Sequence, residues 1–216
     1  MSKLYVVATP IGNLKDITLR ALEVLKSVDV ILAEDTRVTR KLLSHYEISK
    51  PIVRYVHGKK YNHHENIALV TDAGTPVISD PGSNLIKDLI KEGFEIVAVP
   101  GPSALAAAIS ISNIDIADFV FYGFPPAKKG RNKFFEKVSK SELPVILYES
   151  PHRFLKTLKE IYDHSGDRYI NVAREITKMY EEVFRGKISE AIEHYETAGI
   201  KGEIVIVFGK KIVYLE

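Results

Sequence analysis

Leu4-Tyr-Val-Val-Ala-Thr-Pro-Ile-Gly-Asn13, continued by Asp16-Ile-Thr-Leu-Arg-Ala-Leu-Glu-Val-Leu-Lys-Ser-Val28 and then Val30-Ile-Leu-Ala33, holds the architecture in miniature. Leu4–Ala8 is an apolar run of strand length, and Pro10-Ile-Gly-Asn13 is loop chemistry. Asp16 can cap a helix that places Ile17, Ala21, Leu22, Leu25 and Val28 on one face, and Val30–Ala33 is a second strand. The same alternation continues outward. A helix is expected near Val38, Leu42, Leu43 and Tyr46, with strands near Val53 and over Ile67–Thr71. A helix over Leu85–Lys91 is closed by Gly93, and a strand covers Ile96–Val99. Ser103 can cap the small-residue helix Ala104–Ser110, and Phe119–Tyr122 is one more strand. Alternation of this kind predicts a mainly parallel sheet covered on both faces, with ligands beyond the carboxyl ends of its strands.

Gly123-Phe-Pro-Pro126 marks the expected domain boundary, giving an N-terminal domain over 1–122 and a C-terminal domain over 123–216. The second half predicts a strand at Val145–Tyr148 and a helix from Pro151 to Gly166 capped by Ser150. A strand at Tyr169–Ala173 and a helix at Ile188–Tyr195 follow. A hairpin of Ile204–Phe208 and Ile212–Leu215 around Gly209-Lys210 completes a mixed sheet. The fold class is therefore two α/β domains.

Composition narrows the chemistry. The 216 residues are 45% hydrophobic and 27% charged, the balance of an ordinary globular protein. Cysteine is absent, which excludes disulfides, thiolate metal sites and cysteine nucleophiles. No run approaches a membrane span and the N-terminus does not read as a signal peptide, so the expected location is cytoplasmic, with no membrane partner. The net charge of +2 is concentrated: Lys128, Lys129, Arg131, Lys133, Lys137 and Lys140 are opposed within their stretch only by Glu136. That stretch is either a solvated helix face or a phosphate-binding patch.

Familiar nucleotide motifs are missing. No two glycines stand two apart, so the Rossmann G-x-G fingerprint is absent, as are the P-loop and the nucleophile elbow. His63-His64-Glu65, near His57, lacks metal-ligand spacing, and no metal is expected. Three proline–glycine loops stand in their place: Thr9–Asn13, Asp72–Gly82 and Pro100–Ala104. Each combines fixed φ at proline with permissive φ at glycine, holding backbone donors and acceptors rigid with little side chain in a ligand's way. One such loop is tight-turn chemistry. Three at one sheet edge point to a small-molecule cleft.

Leu4–Leu14, Ala33-Glu-Asp-Thr-Arg37, Asp72–Gly82, Pro100-Gly-Pro-Ser-Ala104, Tyr148-Glu-Ser-Pro-His-Arg153 and Ala173-Arg-Glu175 with Lys178 and Glu181 together resemble the RsmI-type branch of the tetrapyrrole methylase superfamily, from about Leu4 to Phe208. The resemblance implies two domains with a deep cleft between them holding S-adenosyl-L-methionine, and commonly a homodimer. It also implies 2′-O-methylation of a cytidine in the decoding region of small-subunit (16S) ribosomal RNA. It departs from the family between Val53 and Ile67, where relatives carry a helix and only His57–Asn66 intervenes here. By the resemblance, Pro10 and Gly12 line the cofactor site, Asp72, Thr75 and Pro76 hold its methionyl and ribose part, and Ser103 and Ala104 contact its methionyl end. Tyr148, Ala173 and Gly202 wall its adenine. For any one of these a structural role competes: Asp72 capping its own loop, Ala173 as core.

A ribose hydroxyl is a weak acid, so its methylation profits from a base or a cation beside the oxygen. Asp35 with Arg37, Glu149, and Lys178 with Glu181 are the catalytic candidates. Asp35 and Arg37 can equally be a structural ion pair, and Lys178 can stabilise an alkoxide or bind phosphate. Lys128, Lys129, Arg131, His152 and Arg153 are the candidate RNA contacts. The competing functions are a precorrin- or uroporphyrinogen-type C-methyltransferase and an RNA-binding module with a vestigial cleft.

Overall fold

In the computed structural model, which describes residues 1–61 and 64–209, the chain divides into two compact units, Met1–Ser103 and Ala104–Glu216. The first unit runs β1 (Lys3–Val7), α1 (Leu19–Ser27), β2 (Val30–Ala33), α2 (Thr36–His45), β3 (Ile52–Arg54), β4 (Asn66–Val70), α3 (Ser83–Lys91) and β5 (Glu95–Val99). Its five strands pair in the order β3-β2-β4-β1-β5, and every pairing is parallel. Side-chain alternation divides each central strand between two cores. Ile31, Ala33, Ala68 and Val70 join α1 residues Ala21, Val24 and Leu25 on one face; Val30, Leu32, Ile67 and Leu69 join α3 residues Leu85 and Leu89 on the other. A strand buried on both faces reads as a continuous apolar run, which is why Val-Ile-Leu-Ala was legible.

The start of α1 differs from expectation. Asp16 lies in a single 3₁₀ turn capped by Asn13, and it is the Thr18 hydroxyl that accepts the Ala21 amide of α1. The connection from β3 to β4 contains no helix among the described residues, consistent with the shortened segment in the sequence.

The second unit runs α4 (Ala104–Ser110), β6 (Val120–Gly123), α5 (Arg131–Ser139), β7 (Val145–Glu149), α6 (Pro151–Ser165), β8 (Tyr169–Arg174), β9 (Glu182–Lys187), α7 (Ile188–Ala198) and β10 (Ile204–Gly209). Its sheet is mixed, in the order β6-β7-β10-β8-β9: β6 and β7 are parallel, while β10 and β9 run antiparallel to their neighbours. The division between units falls nineteen residues before the expected one. The reason is packing. The strand expected at Phe119–Tyr122 hydrogen-bonds to β7 rather than to the first sheet, and Ala108 of α4 packs with Ile146, Val205 and Val207 of the second. Helix α6 has Pro151 at its first position and Gly166 at its end, but Ser150 makes no capping bond; its hydroxyl accepts from Arg153 Nε instead. Strand β9 was not expected, and α5 falls in the lysine stretch for which a solvated helix face was one of the two readings. His63, and the Lys210 and Ile212–Leu215 arm of the expected hairpin, lie outside the described residues. Among the described residues no helix is long and apolar enough to cross a membrane.

Candidate functional site

All five strands of the first sheet are parallel, so the segments after β1, β2, β4 and β5 leave from one edge. Backbone pairing welds those after β1, β4 and β5 together there. Ala8 N–H donates to Val99 O (3.2 Å), and Thr9 and Gly74 exchange N–H···O bonds of 2.9 and 3.0 Å. The Thr9 hydroxyl reaches Thr71 O (3.2 Å), and the Thr75 hydroxyl donates to Pro102 O (3.1 Å). Such close approach favours glycine: a Cβ on Gly101 would sit 3.1 Å from Ala8 Cβ, tighter than an ordinary contact. Inside the Asp72–Gly82 loop, Val77 and Ser79 hold positive φ of 76° and 64°. For a β-branched valine that is a strained conformation of the kind that clusters at ligand sites.

Pro10 and Pro76 are buried beneath this edge, whereas Gly12 and Asp72 are exposed. Asp72 accepts the Asp35 amide at Oδ1 (3.0 Å), and its Oδ2 makes no hydrogen bond among the described residues. Asp35 caps α2 through the Arg37 amide (2.8 Å) and receives the Arg37 guanidinium on both oxygens, the shortest contact being 2.6 Å. The Arg37 guanidinium, then its amide, hold the Asp35 carboxyl down at about 2, against the opposing effect of desolvation. A carboxylate so held is an anchor for the arginine and a poor proton acceptor. Ser103, half-buried, closes the first unit, and Ala104 opens α4 in the second.

The second unit disposes of its charged candidates differently. Glu149 ends β7 with its side chain fully buried; Oε1 accepts Ser150 N–H (2.8 Å) and Arg153 Nη2 (2.7 Å), and Oε2 accepts the Thr157 hydroxyl (2.6 Å). Arg131 is 5% exposed, reaching Glu160 (2.6 Å), the Thr157 hydroxyl (2.6 Å) and Pro126 O (2.9 Å), with Glu149 at 3.9 Å. The structure thus takes Arg131 out of the exposed lysine stretch and leaves Glu149 no open oxygen. Arg153 also donates to Pro125 O (3.1 Å). Lys128, Lys129 and His152 remain exposed.

Lys178 bridges Glu175 (2.8 Å) and Glu203 (2.9 Å). Burial works against its charge, but these two carboxylates outweigh it and hold the ammonium above the ordinary lysine range. Glu175 packs on Gly202, where φ is +88° and a Cβ would overlap the Glu175 carboxyl. Glu181 Oε2 accepts the Thr177 amide (2.6 Å). The Tyr148 hydroxyl accepts the Leu105 amide (3.1 Å), serving the α4 N-terminus for which Ser103 was expected, and its ring packs edge-on against Phe121 and Phe124. Ala173 is buried among Ile146, Val205 and Val207. Pro10, Asp72, Thr75, Pro76 and Asp35 are therefore brought together on one sheet edge, and Glu149, Arg131 and Arg153 in one buried network.

Comparison with known proteins follows that geometry. The family model described as Tetrapyrrole (Corrin/Porphyrin) Methylases matches residues 3–192. A Thermotoga maritima protein named ribosomal RNA small subunit methyltransferase I is 46% identical over 98% of this chain and 100% of its own length. A Bacillus subtilis protein of the same name is also 46% identical, over 96% of this chain and 75% of its own. Among solved structures, a cobalamin biosynthetic enzyme, cobalt precorrin-4 methyltransferase, superposes with a TM-score of 0.68 at 19% identity, covering 96% of this chain and 94% of that one. That likeness shows the fold; the closer sequence relatives and the family model carry the rest. The chain belongs to the tetrapyrrole methylase family, within the group of ribosomal RNA small subunit methyltransferase I proteins.

Proposed function

We propose that this chain is an S-adenosylmethionine-dependent methyltransferase that modifies the 2′-oxygen of a cytidine in the decoding region of small-subunit ribosomal RNA, working as a cytoplasmic homodimer. The observation that carries the reading is 46% identity, over the whole length of the Thermotoga maritima protein, to an enzyme named for that RNA.

The donor set fits the cofactor. S-adenosylmethionine presents an ammonium and ribose hydroxyls as hydrogen-bond donors, and Asp72 Oδ2 is an exposed acceptor aligned by its other oxygen. Thr75 commits its proton to Pro102 O and keeps its lone pairs for a donor. Pro10, Gly12 and Pro76 complete the rigid edge of the first unit, and Ser103 is the residue proposed for the methionyl end. When bound, the cofactor supplies a methyl group on a sulfonium. The protein's share is orientation of the acceptor and management of its proton. Lys178, kept cationic by Glu175 and Glu203, suits an anionic oxygen or a phosphate. Of the carboxylates considered, Glu149 is fully engaged and Asp35 is held by Arg37, leaving Glu181, exposed and with only Oε2 bonded, as the proposed base. Lys128, Lys129 and His152 are exposed cations or donors for RNA phosphates.

The test is incubation with isolated small subunits and methyl-labelled S-adenosylmethionine, followed by mapping of the label. A single alkali-resistant cytidine in the decoding region is expected. Label on a tetrapyrrole precursor but not on RNA would replace this reading with C-methylation of a macrocycle.

A further inference from the structure

Helix α2 divides cleanly between its two faces. Thr39, Leu42 and Leu43 are buried against the first sheet, while Arg37, Arg40, Lys41, Ser44 and His45 all face solvent. These positions recur at three- and four-residue intervals, so they form one stripe, and with Leu14 they line a shallow concavity. The Tyr46 hydroxyl donates to Leu14 O and fixes that wall. No acidic residue occurs between Thr36 and Tyr46. Arg37 is matched by Asp35, but neither Arg40 nor Lys41 has an ion-pair partner among the described residues.

The stretch over Lys128–Lys140, which the sequence singled out, is less open to phosphate. Its one arginine is buried, Glu136 sits among its lysines, and Lys137 lies 4.6 Å from the centre of the Tyr122 ring. Position favours α2 as well. Its capping residue Asp35 donates an amide to Asp72, so the helix is tied directly to the loop proposed to hold the cofactor.

We infer that the exposed face of α2, centred on Arg40 and Lys41, is a docking surface for the phosphate backbone of the substrate RNA. The inference rests on the functional reading above and adds to it where the RNA is gripped. From Arg37 to His45 the helix advances about 12 Å, so the stripe is long enough to meet more than one phosphate of a strand. Guanidinium groups without a carboxylate partner suit phosphate oxygens, which they bind in forked geometry. Contacts of this kind carry orientation and charge rather than base identity.

The test compares the wild-type protein with R40A/K41A, both substitutions being on the solvent face of a helix where alanine is well tolerated. Affinity for a small-subunit RNA fragment containing the decoding region is measured across salt concentrations, beside S-adenosylmethionine affinity and thermal melting. Loss of two phosphate contacts should weaken RNA binding and reduce the log–log salt slope by about 1.4 to 1.8. Cofactor affinity and melting should be unchanged. R40E/K41E should weaken RNA binding further, which separates a charge effect from loss of fold. Parallel salt slopes for wild type and R40A/K41A would overturn the docking surface and leave the functional reading standing. A wild-type protein that binds S-adenosylmethionine but shows no salt-dependent RNA affinity would overturn that reading, and this inference with it.

Discussion

Two strand ends in this molecule look alike in sequence and differ in what surrounds them. After β2 the chain reads Ala33-Glu-Asp-Thr-Arg37, and at the end of β7 it reads Tyr148-Glu-Ser-Pro-His-Arg153. Each offers a carboxylate and an arginine at the start of a helix. In the first, the Arg37 side chain is 84% exposed and the pair stands at the rim of the parallel sheet. In the second, Glu149 is fully buried, with Arg153 on one oxygen, Thr157 on the other and Arg131 behind. The same residue types are a surface clasp in one place and an internal strut in the other. Burial, which no local motif reports, decides the role.

The strut gives the largest expected effect. Removing one member of a buried ion network leaves the others charged and unpaired, which costs about 3–5 kcal/mol. Glu149→Ala and Arg131→Ala should each lower unfolding stability by that order in a denaturant titration. If Glu149→Ala instead folded with wild-type stability and lost only activity, Glu149 would belong to the chemistry and the contrast would collapse.

Next comes the glycine that Glu175 leans on. Gly202→Ala must hold a positive φ and displace the Glu175 carboxyl, releasing Lys178 from one of its two partners. A loss of about 1–3 kcal/mol is expected from the strain, together with a drop in methyl transfer. Unaltered activity in the folded variant would detach the Glu175–Lys178 pair from function.

The clasp should register in titration rather than in stability. Asp35 has its pKa lowered to about 2, mainly by the Arg37 guanidinium. A carboxyl depressed in the folded state contributes stability above its unfolded value of 3.8 and loses it as pH falls toward about 2. At an exposed site that contribution is small and salt-screened. Arg37→Ala should return the Asp35 midpoint toward 3.8 in a carbon-detected NMR titration, with little change in melting. A midpoint that stayed near 2 would show that the guanidinium is not what holds it.

The contrast also explains what the sequence could and could not convey. Buried parallel strands such as Val30–Ala33 announce themselves because both faces are apolar, and the proline–glycine loops because their backbone needs are local. Arg131 was hidden among lysines, since charge patterning cannot tell a buried guanidinium from a solvated one. Strand β9, Glu-Val-Phe-Arg-Gly-Lys, sits at a sheet edge with polar residues on its open side and lacks the run that marks a core strand. Phe119–Tyr122 was recognised as a strand, but which sheet it joins depends on pairing with β7 some twenty-five residues later. Asp72 was named as a site residue from the resemblance. That its Oδ1 fixes the start of α2 while Oδ2 stays open is visible only in three dimensions.

Whether the edge of the first sheet holds the cofactor is decided by calorimetric titration of S-adenosylmethionine into wild type and Asp72→Ala. Loss of a charge-assisted hydrogen bond to the ligand should weaken binding by about tenfold or more, while thermal melting shows the variant still folded. A folded Asp72→Ala protein that binds S-adenosylmethionine as tightly as wild type would contradict that placement.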